Sequence, residues 1–524
     1  MACRAHPISA VVRWGGGLAL ALVAALTLGT VAALLSRAEP GRGLGPAEWA
    51  ALRFTLLQAL LSAGLSCLFA VPAARALARR RFPGRAAMVA LLGAPFLLPA
   101  IVAVFGIVAI WGRAGLFSHW LEALGLPGLD VYGLGGVVLA HVFFNVALVA
   151  RLLLQGWLAI PAEQFRLAAQ LGFRPADVFW RLELPMLREV LPGAFVLVFL
   201  LCMASFAVAL TLGGGPRATT VELAIYQAVR FDFDLGRAAW LALIQFGLCG
   251  TMALMALQFS AQTGFGPGLG GAVRRWDADG AGVRALDGLV LAVLGLFLGL
   301  PLGAVVLRGV VAIAAGLPAA VWPAAARSLG VALGSAALAL TLGLALAGLV
   351  DARRERGGGR WTEAAGLMTL AASPFVIGTG LFILLFPLAD PFALALPVTA
   401  TVNAAMALPF VLRALLPALA EARTLDGRLA DSLGIEGLAR FRLVTWARLR
   451  RPMGFAAGLA AALSMGDLGV IALFAPPDLT TLPLLMQQLM AAHRMLQAAG
   501  VALVLLALSY AVFWLFDRGG RIDA

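Results

Sequence analysis

Side chains able to do covalent or proton chemistry are few and scattered in this sequence. The four histidines, His6, His119, His141 and His493, lie far apart and show no metal-ligand spacing; no metal site is expected. The four cysteines, Cys3, Cys67, Cys202 and Cys249, form no close pairs and read as small buried hydrophobes rather than a disulfide framework. Lysine is absent, so all 39 basic residues are arginine. A Walker-type phosphate loop and a Schiff base both need a lysine. The chain is therefore expected to have no such ATP site, so that any ATP hydrolysis must come from a partner, and no catalytic residues or cofactor of its own are expected. An intramembrane enzyme would need convergent catalytic groups and a proton-coupled carrier a relay of buried carboxylates. Neither pattern is visible.

The remaining polar groups suit a path or a docking surface. Over 213–237, Glu222, Asp232 and Asp234 alternate with Tyr226, Phe231 and Phe233. Carboxylates beside aromatic rings favour a flat cation. The same segment equally reads as an interfacial helix whose aromatic anchors support docking of a soluble receptor. His141 and Asn145 lie one turn apart in an apolar run, with Asn403 in a similar run further on. They either border a pathway or bond helices together, the latter at roughly 0.6–2 kcal/mol each. Ser205 and Ser464 read as small packing residues. Asp467 is expensive in its apolar surroundings, and is expected to pair with an arginine or face a water-filled vestibule.

The elements that would position these groups are membrane spans. Of 524 residues, 62% are hydrophobic and 12% charged, with a mean hydropathy of +0.96. Runs near 20 apolar residues fall at 15–36, 54–74, 86–111, 134–155, 191–212, 236–259, 286–314, 327–350, 364–387, 393–417, 453–474 and 498–517. Lipid requires each span to satisfy its own backbone, and no period-two alternation supports a barrel. The expected fold is all-α, a polytopic membrane protein of about twelve transmembrane helices. The first run, behind Arg4 and Arg13, is longer than a signal-peptide core and reads as the first span.

Arginine placement orients the chain. Arg75, Arg79, Arg80, Arg81 and Arg85 follow the second run, Arg174, Arg181 and Arg188 the fourth, and Arg274, Arg275 and Arg284 the sixth. Arg353, Arg354, Arg356 and Arg360 follow the eighth, and Arg440, Arg442, Arg448, Arg450 and Arg451 the tenth. By the positive-inside rule those loops and both termini are cytoplasmic. The formal charge of +13 is thereby explained by topology, and nucleic acid is not an expected partner.

An internal repeat divides the chain. His141 aligns with Asn403, Arg151 with Arg413, Arg166 with Arg428, Ala168 with Ala430 and Gly172 with Gly434, at one constant offset. Pro95-Phe96 and Pro374-Phe375 match upstream, as do Thr55-Leu56 and Ser328-Leu329. The expected organisation is two homologous six-helix halves, 1–262 and 286–524, joined by a Gly-rich charged linker at 263–285. Each half carries a polar loop between spans, at about 156–190 and about 418–452. In the first, Pro161 and Glu163 suit a helix start, Ala168-Ala169 offer a small face, Gly172 can end the helix in a left-handed conformation, and Pro175 can start the next. Two such knobs on one face could enter grooves on two identical motor subunits. An ordinary amphipathic loop is the plainer alternative, disfavoured because the loop recurs in the same topological place.

These loops resemble the signature of permease subunits of bacterial binding-protein-dependent ABC importers: Glu-Ala-Ala, three residues, Gly, nine residues, then Ile-x-Leu-Pro. Ala168, Gly172, Leu184 and Pro185 match it, while Arg166 and Leu167 stand at its Glu and first Ala. Ala430 and Gly434 match it in the second loop, where Trp446-Ala447 replace Leu-Pro. The departures imply two knobs of unequal grip. The stretch Leu212–Gln227, with Glu163–Gly172, is similar to the fused thiamine permeases of Gram-negative bacteria. That resemblance implies import of thiamine, and its phosphates, across the inner membrane, with a periplasmic binding protein delivering cargo and a homodimeric ABC ATPase driving the transport. Ferric iron is the rival cargo, because fused permeases serve it too and the same carboxylates suit a hard cation.

Overall fold

A computed structural model describes residues 10–521 apart from 40, 42, 216–217, 259–274, 355–357, 367, 371, 436 and 477. Cys3, Arg4, His6, Arg356 and most of the expected linker, including Arg274, lie outside the described residues. Among those described, every regular element is helical. Nine of these helices are matched, in the same order, by nine later ones. The first set is α1 (Val12–Arg37), α2 (Pro46–Arg79), α3 (Ala100–Trp111), α4 (Leu134–Ala159), α5 (Ala162–Gln170), α6 (Leu184–Met203), α7 (Phe206–Leu212), α8 (Val221–Arg230) and α9 (Leu235–Gln258). The second is α10 (Ala281–Ala314), α11 (Val321–Arg354), α12 (Pro374–Leu385), α13 (Ala395–Glu421), α14 (Gly427–Ser432), α15 (Ala447–Met465), α16 (Gly469–Phe474), α17 (Leu482–Ala491) and α18 (Met495–Arg521).

The protein is an all-α polytopic membrane protein, and among the described residues ten helices are long and apolar enough to span a bilayer. Twelve spans were expected, and the two that differ, 364–387 and 453–474, are broken. In the first, Pro374 supplies no amide, and Ser373 accepts a hydrogen bond from Val376 N at 3.3 Å, which starts a new helix within the apolar run. In the second, Arg448, Arg450 and Arg451 occupy the early turns of α15, and the helix ends at Gly466. The expected span 86–111 also breaks, into Arg85–Leu91, Ala94–Leu97 and α3, and 191–212 parts at Ala204-Ser205.

The leading helix of each set packs against the opposite set. α1 lies on α11 and α12, whereas α10 lies on α3 and α2. Two glycines permit these crossings. A Cβ on Gly106 of α3 would sit 2.7 Å from the Pro301 carbonyl oxygen of α10, and one on Gly380 of α12 would sit 2.5 Å from Thr30 Cβ of α1. Small residues at helix contacts let backbones approach in lipid, where apolar burial drives nothing between helices. The outer stripe of α10 (Leu286, Leu289, Val293, Leu296) stays exposed, as a lipid-facing surface must.

Corresponding hydroxyls also anchor corresponding short helices. Thr55 Oγ1 on α2 accepts from Val221 N, the first residue of α8, at 2.9 Å. Ser328 Oγ on α11 accepts from Leu482 N, the first residue of α17, at 2.8 Å. Each bond satisfies a helix-terminal amide that would otherwise be orphaned inside an apolar environment.

Candidate functional site

The polar loops build two knobs on one backbone template. In the first, α5 ends at Gln170 with Leu171 as its cap, and Gly172 takes φ +67° while Phe173 N donates to Ala168 O at 3.0 Å. In the second, Gly434 takes φ +64° and Ile435 N donates to Ala430 O at 2.9 Å. This is the turn that closes helices through a left-handed residue, which glycine adopts without a Cβ clash. Ala168 and Ala430 are each 2% exposed and seat the knobs against the bundle. Pro161 precedes α5, Pro175 begins the next short helix, and Asp177 accepts from Arg174 N at 3.0 Å.

Asp287, near the start of α10, pairs with Arg79 at the end of α2, so these helices run antiparallel. α11, joined to α10 by a short turn, then runs parallel to α2. Arg75 of α2 reaches Glu183 after the first knob, and Arg423 beside the second knob reaches Asp351 near the end of α11. Both knobs therefore leave the same, arginine-rich face.

What faces outward is apolar. Leu167 and Leu171 are 55% and 62% exposed on the first knob, and Leu429 and Leu433, at the same offset, 60% and 63% on the second. Spaced by one turn on a polar face, these leucines are a ready contact surface. The sequence motif points to Arg166 and the alanines instead; the signal for these leucines is their repetition at the offset of the glycines. Arg166 is exposed beside them, while the Arg428 side chain lies outside the described residues. Glu163 is half-buried in the first turn of α5, Leu184 is half-buried, and Pro185 is exposed at the start of α6.

The anchoring of the knobs differs. Glu183, fully buried, accepts from Arg75 Nε at 2.7 Å and from Arg275 Nη2 at 2.6 Å. Arg275, from the end of the linker, also pairs with Asp277 at 2.7 Å and lies 4.3 Å over the Phe165 ring of α5. Burial alone would raise the Asp277 carboxyl, but the hydrogen bond and charge of Arg275 outweigh it and hold the group below the usual carboxylate range. At the place of Glu183 the second loop has Thr445. Its ion pairs among the described residues include Asp426–Arg448 at 2.6 Å and Asp351–Arg423 at 3.0 Å, both partly solvent-accessible. Hydrogen bonding from Arg448 lowers the Asp426 pKa.

Between the two helix sets lies a cavity of about 850 Å³. It runs along α4 from His141 to Gln155, a rise of roughly 21 Å. His141 and Asn145 line it, but Asn403 and Asp467 do not. His141 Nδ1 is 3.5 Å from Ser62 Oγ, and Asn145 Nδ2 donates to Cys202 Sγ at 3.3 Å; Asn403 Nδ2 donates to Ser464 Oγ at 3.0 Å. Asp467 has neither of the expected surroundings. It makes no ion pair among the described residues; its carboxyl lies by the backbone at Gly469–Ile471, at the start of α16, and by Asn403, with Oδ2 buried and without a hydrogen-bond partner. A helix N-terminus is a natural seat for a carboxylate. The helix breaks at Ala204-Ser205 and Gly466 both touch the cavity. Arg151 and Arg413, the repeated arginines, also line it, exposed and without hydrogen bonds among the described residues. Charge at this depth must face water or protein, and these two positions carried no role in the sequence reading.

The opposite end is sealed by aromatic packing across the helix sets. Phe206 lies 4.5 Å from Phe375 and 5.2 Å from Tyr226, and Phe233 lies 5.6 Å from Phe386. Arg230 donates to Ala475 O at 2.8 Å and covers the Phe392 ring. Glu222 is buried in the first turn of α8, so it presents nothing to a docking protein in this conformation. Asp232 is exposed and pairs with Arg237 at 3.1 Å, and Asp234 accepts from Arg237 N at 2.9 Å to cap α9.

No protein-family profile matches the chain. Among individual proteins, the thiamine transport system permease protein ThiP of Brucella abortus is 43% identical over 515 residues, covering 96% of this chain and 94% of its own. The proteins of that name from Salmonella typhimurium and Escherichia coli are each 40% identical, both covering 90% of this chain and 89% of their own. The sulfate transport system permease protein CysW of Synechocystis is 28% identical over 212 residues, 40% of this chain and 76% of its own. Identity at this level over nearly the whole length, on a helical bundle built around a central cavity, places the chain in the thiamine transport system permease family.

Proposed function

We propose that the chain forms the translocation pathway for thiamine and its phosphates in an importer of the inner membrane, working by ATP-driven alternating access. Its two halves, 1–262 and 286–524, are joined by the linker 263–285, and both termini face the cytoplasm. A homodimeric ABC ATPase, holding ATP and Mg, grips the knobs, and a periplasmic binding protein delivers cargo to the sealed face. The carrying observation is the cavity bounded by both helix sets above two knobs that share one face. The aromatic contacts of Phe206 with Tyr226 and Phe375 at its far end support reading the conformation as inward-open. Closure of the ATPase would draw the knobs together and part that seal.

The cargo assignment draws on the family and on the cavity chemistry. Phe144, Phe410 and Phe455 line the cavity as aromatic groups suited to a flat heterocycle, and Arg151 and Arg413 as guanidiniums suited to phosphate oxygens. Uptake of labelled thiamine, thiamine pyrophosphate and ferric iron by a strain lacking this protein tests the reading. Loss of both thiamine forms with intact iron uptake is expected, and the reverse would overturn it. Arg151→Gln with Arg413→Gln should reduce pyrophosphate uptake more than thiamine uptake.

A further inference from the structure

A second cavity, of about 780 Å³, lies on the arginine-rich face between the end of α2, the short helix Arg85–Leu91 and the start of α10. Its polar side holds Arg79, Arg80, Arg81, Arg275 and Arg284. Its other wall is Met88, Leu291 and Ala292, on membrane helices. This is not the transport cavity, and shares no lining residue with it.

The charges do not cancel. Six arginines, the five above with Arg75, share the cluster with Glu183, Asp277, Asp279 and Asp287, leaving two positive charges uncompensated among the described residues. Arg80 places its Nε on Asp287 at 2.6 Å, but its Nη2 is buried with no hydrogen-bond partner among the described residues. Arg81 is exposed and has no ion pair among them. That nitrogen is closed off from solvent in this conformation, so an anionic oxygen entering the cavity would first meet the exposed guanidinium of Arg81 and the uncompensated charge of the cluster.

We infer that this cavity binds the phosphodiester headgroup of an anionic phospholipid from the adjoining leaflet. The apolar wall and its position distinguish a lipid from a free ion. Gly288 has open space where a side chain would project, and the neighbouring stripe Leu286, Leu289 and Val293 faces the acyl region. The headgroup would thus sit on the arginines while a chain follows the groove beside α10. Basic pockets between membrane helices recognise acidic headgroups on this principle. Because Arg275 also holds Glu183 and Phe165, an occupied pocket would brace the first knob through the linker.

The test is native mass spectrometry of the delipidated full-length protein in detergent, titrated with phosphatidylglycerol, phosphatidylcholine or inorganic phosphate. Phosphatidylglycerol should bind and phosphatidylcholine should bind far more weakly. Arg80→Gln with Arg81→Gln should weaken phosphatidylglycerol binding by about thirtyfold. Gly288→Trp, which keeps every charge and enters open space, should weaken it too, and decides the matter if the double variant does not fold. Equal binding of the two lipids, or unchanged phosphatidylglycerol binding in Gly288→Trp, overturns the inference. Displacement of phosphatidylglycerol by equimolar inorganic phosphate would mark a plain anion site and overturn the lipid assignment. None of these readings depends on which cargo is carried.

Discussion

The two knobs have the same backbone and different foundations. Gly172 and Gly434, the bonds Phe173–Ala168 and Ile435–Ala430, and the leucine pairs 167/171 and 429/433 coincide at one offset. Beneath the first knob, Glu183 gathers Arg75 and Arg275 in a buried network that ties α2, the linker and α5 together. Beneath the second, Thr445 replaces the carboxylate and accessible pairs hold the loop. The outward part of the two loops keeps one shape, whereas the part packed against the neighbouring helices differs.

The largest effect that would break this contrast is on Glu183. Glu183→Ala leaves Arg75 without its carboxylate and Arg275 with Asp277 alone, and should destabilise the purified protein by about 3–5 kcal/mol. Thr445→Ala should shift stability by no more than about 0.5 kcal/mol. Similar melting shifts for the two variants would remove the difference in foundations. The glycines test the shared template instead. Gly172→Ala and Gly434→Ala each force a Cβ into a left-handed residue and should each cost about 1–2 kcal/mol, matching one another in thermal melts. A cost at only one site would mean that the turns are not equivalent.

Smaller changes probe the outer surface. Leu171→Glu should leave melting unchanged and weaken ATPase binding about tenfold, the scale of one buried leucine, with Leu433→Glu weakening it less. Equal losses would contradict unequal grip. pH sharpens the contrast further. Because the Asp277 carboxyl is depressed in the folded protein, its stabilising contribution is complete above the ordinary value of about 3.9 and is lost as pH falls through the lower folded value. Melting should therefore be insensitive to this group between about pH 5 and 8, and Asp277→Asn should lower the melting temperature throughout that range. Asp426→Asn, at an exposed pair, should change the melt too little to measure.

Much of this was legible in the residues. Apolar runs marked ten of the helices, and the repeat at one offset located both knobs and their left-handed glycines. The breaks at Ser373-Pro374 and Gly466 were not legible, because hydropathy stays high across them and a window average does not register backbone hydrogen bonding. Asp467 was misplaced for the same reason: without the break there is no helix start for it to cap. The Glu183 network joins residues far apart in the chain, and the packing of α1 on α11 depends on which helices become neighbours. Neither leaves a local pattern. Arg151 and Arg413 were visible as a repeated pair, but only the cavity gave them a role.

The central claim is that two knobs on one face take up the motor's stroke. It is tested most directly by placing Leu171→Cys or Leu433→Cys in a Cys3→Ser background, where Cys67, Cys202 and Cys249 are buried, and labelling oriented vesicles with a membrane-impermeant maleimide. Both positions should react only in inside-out vesicles and become protected when the ATPase is added. Labelling from opposite sides of the bilayer would contradict the account.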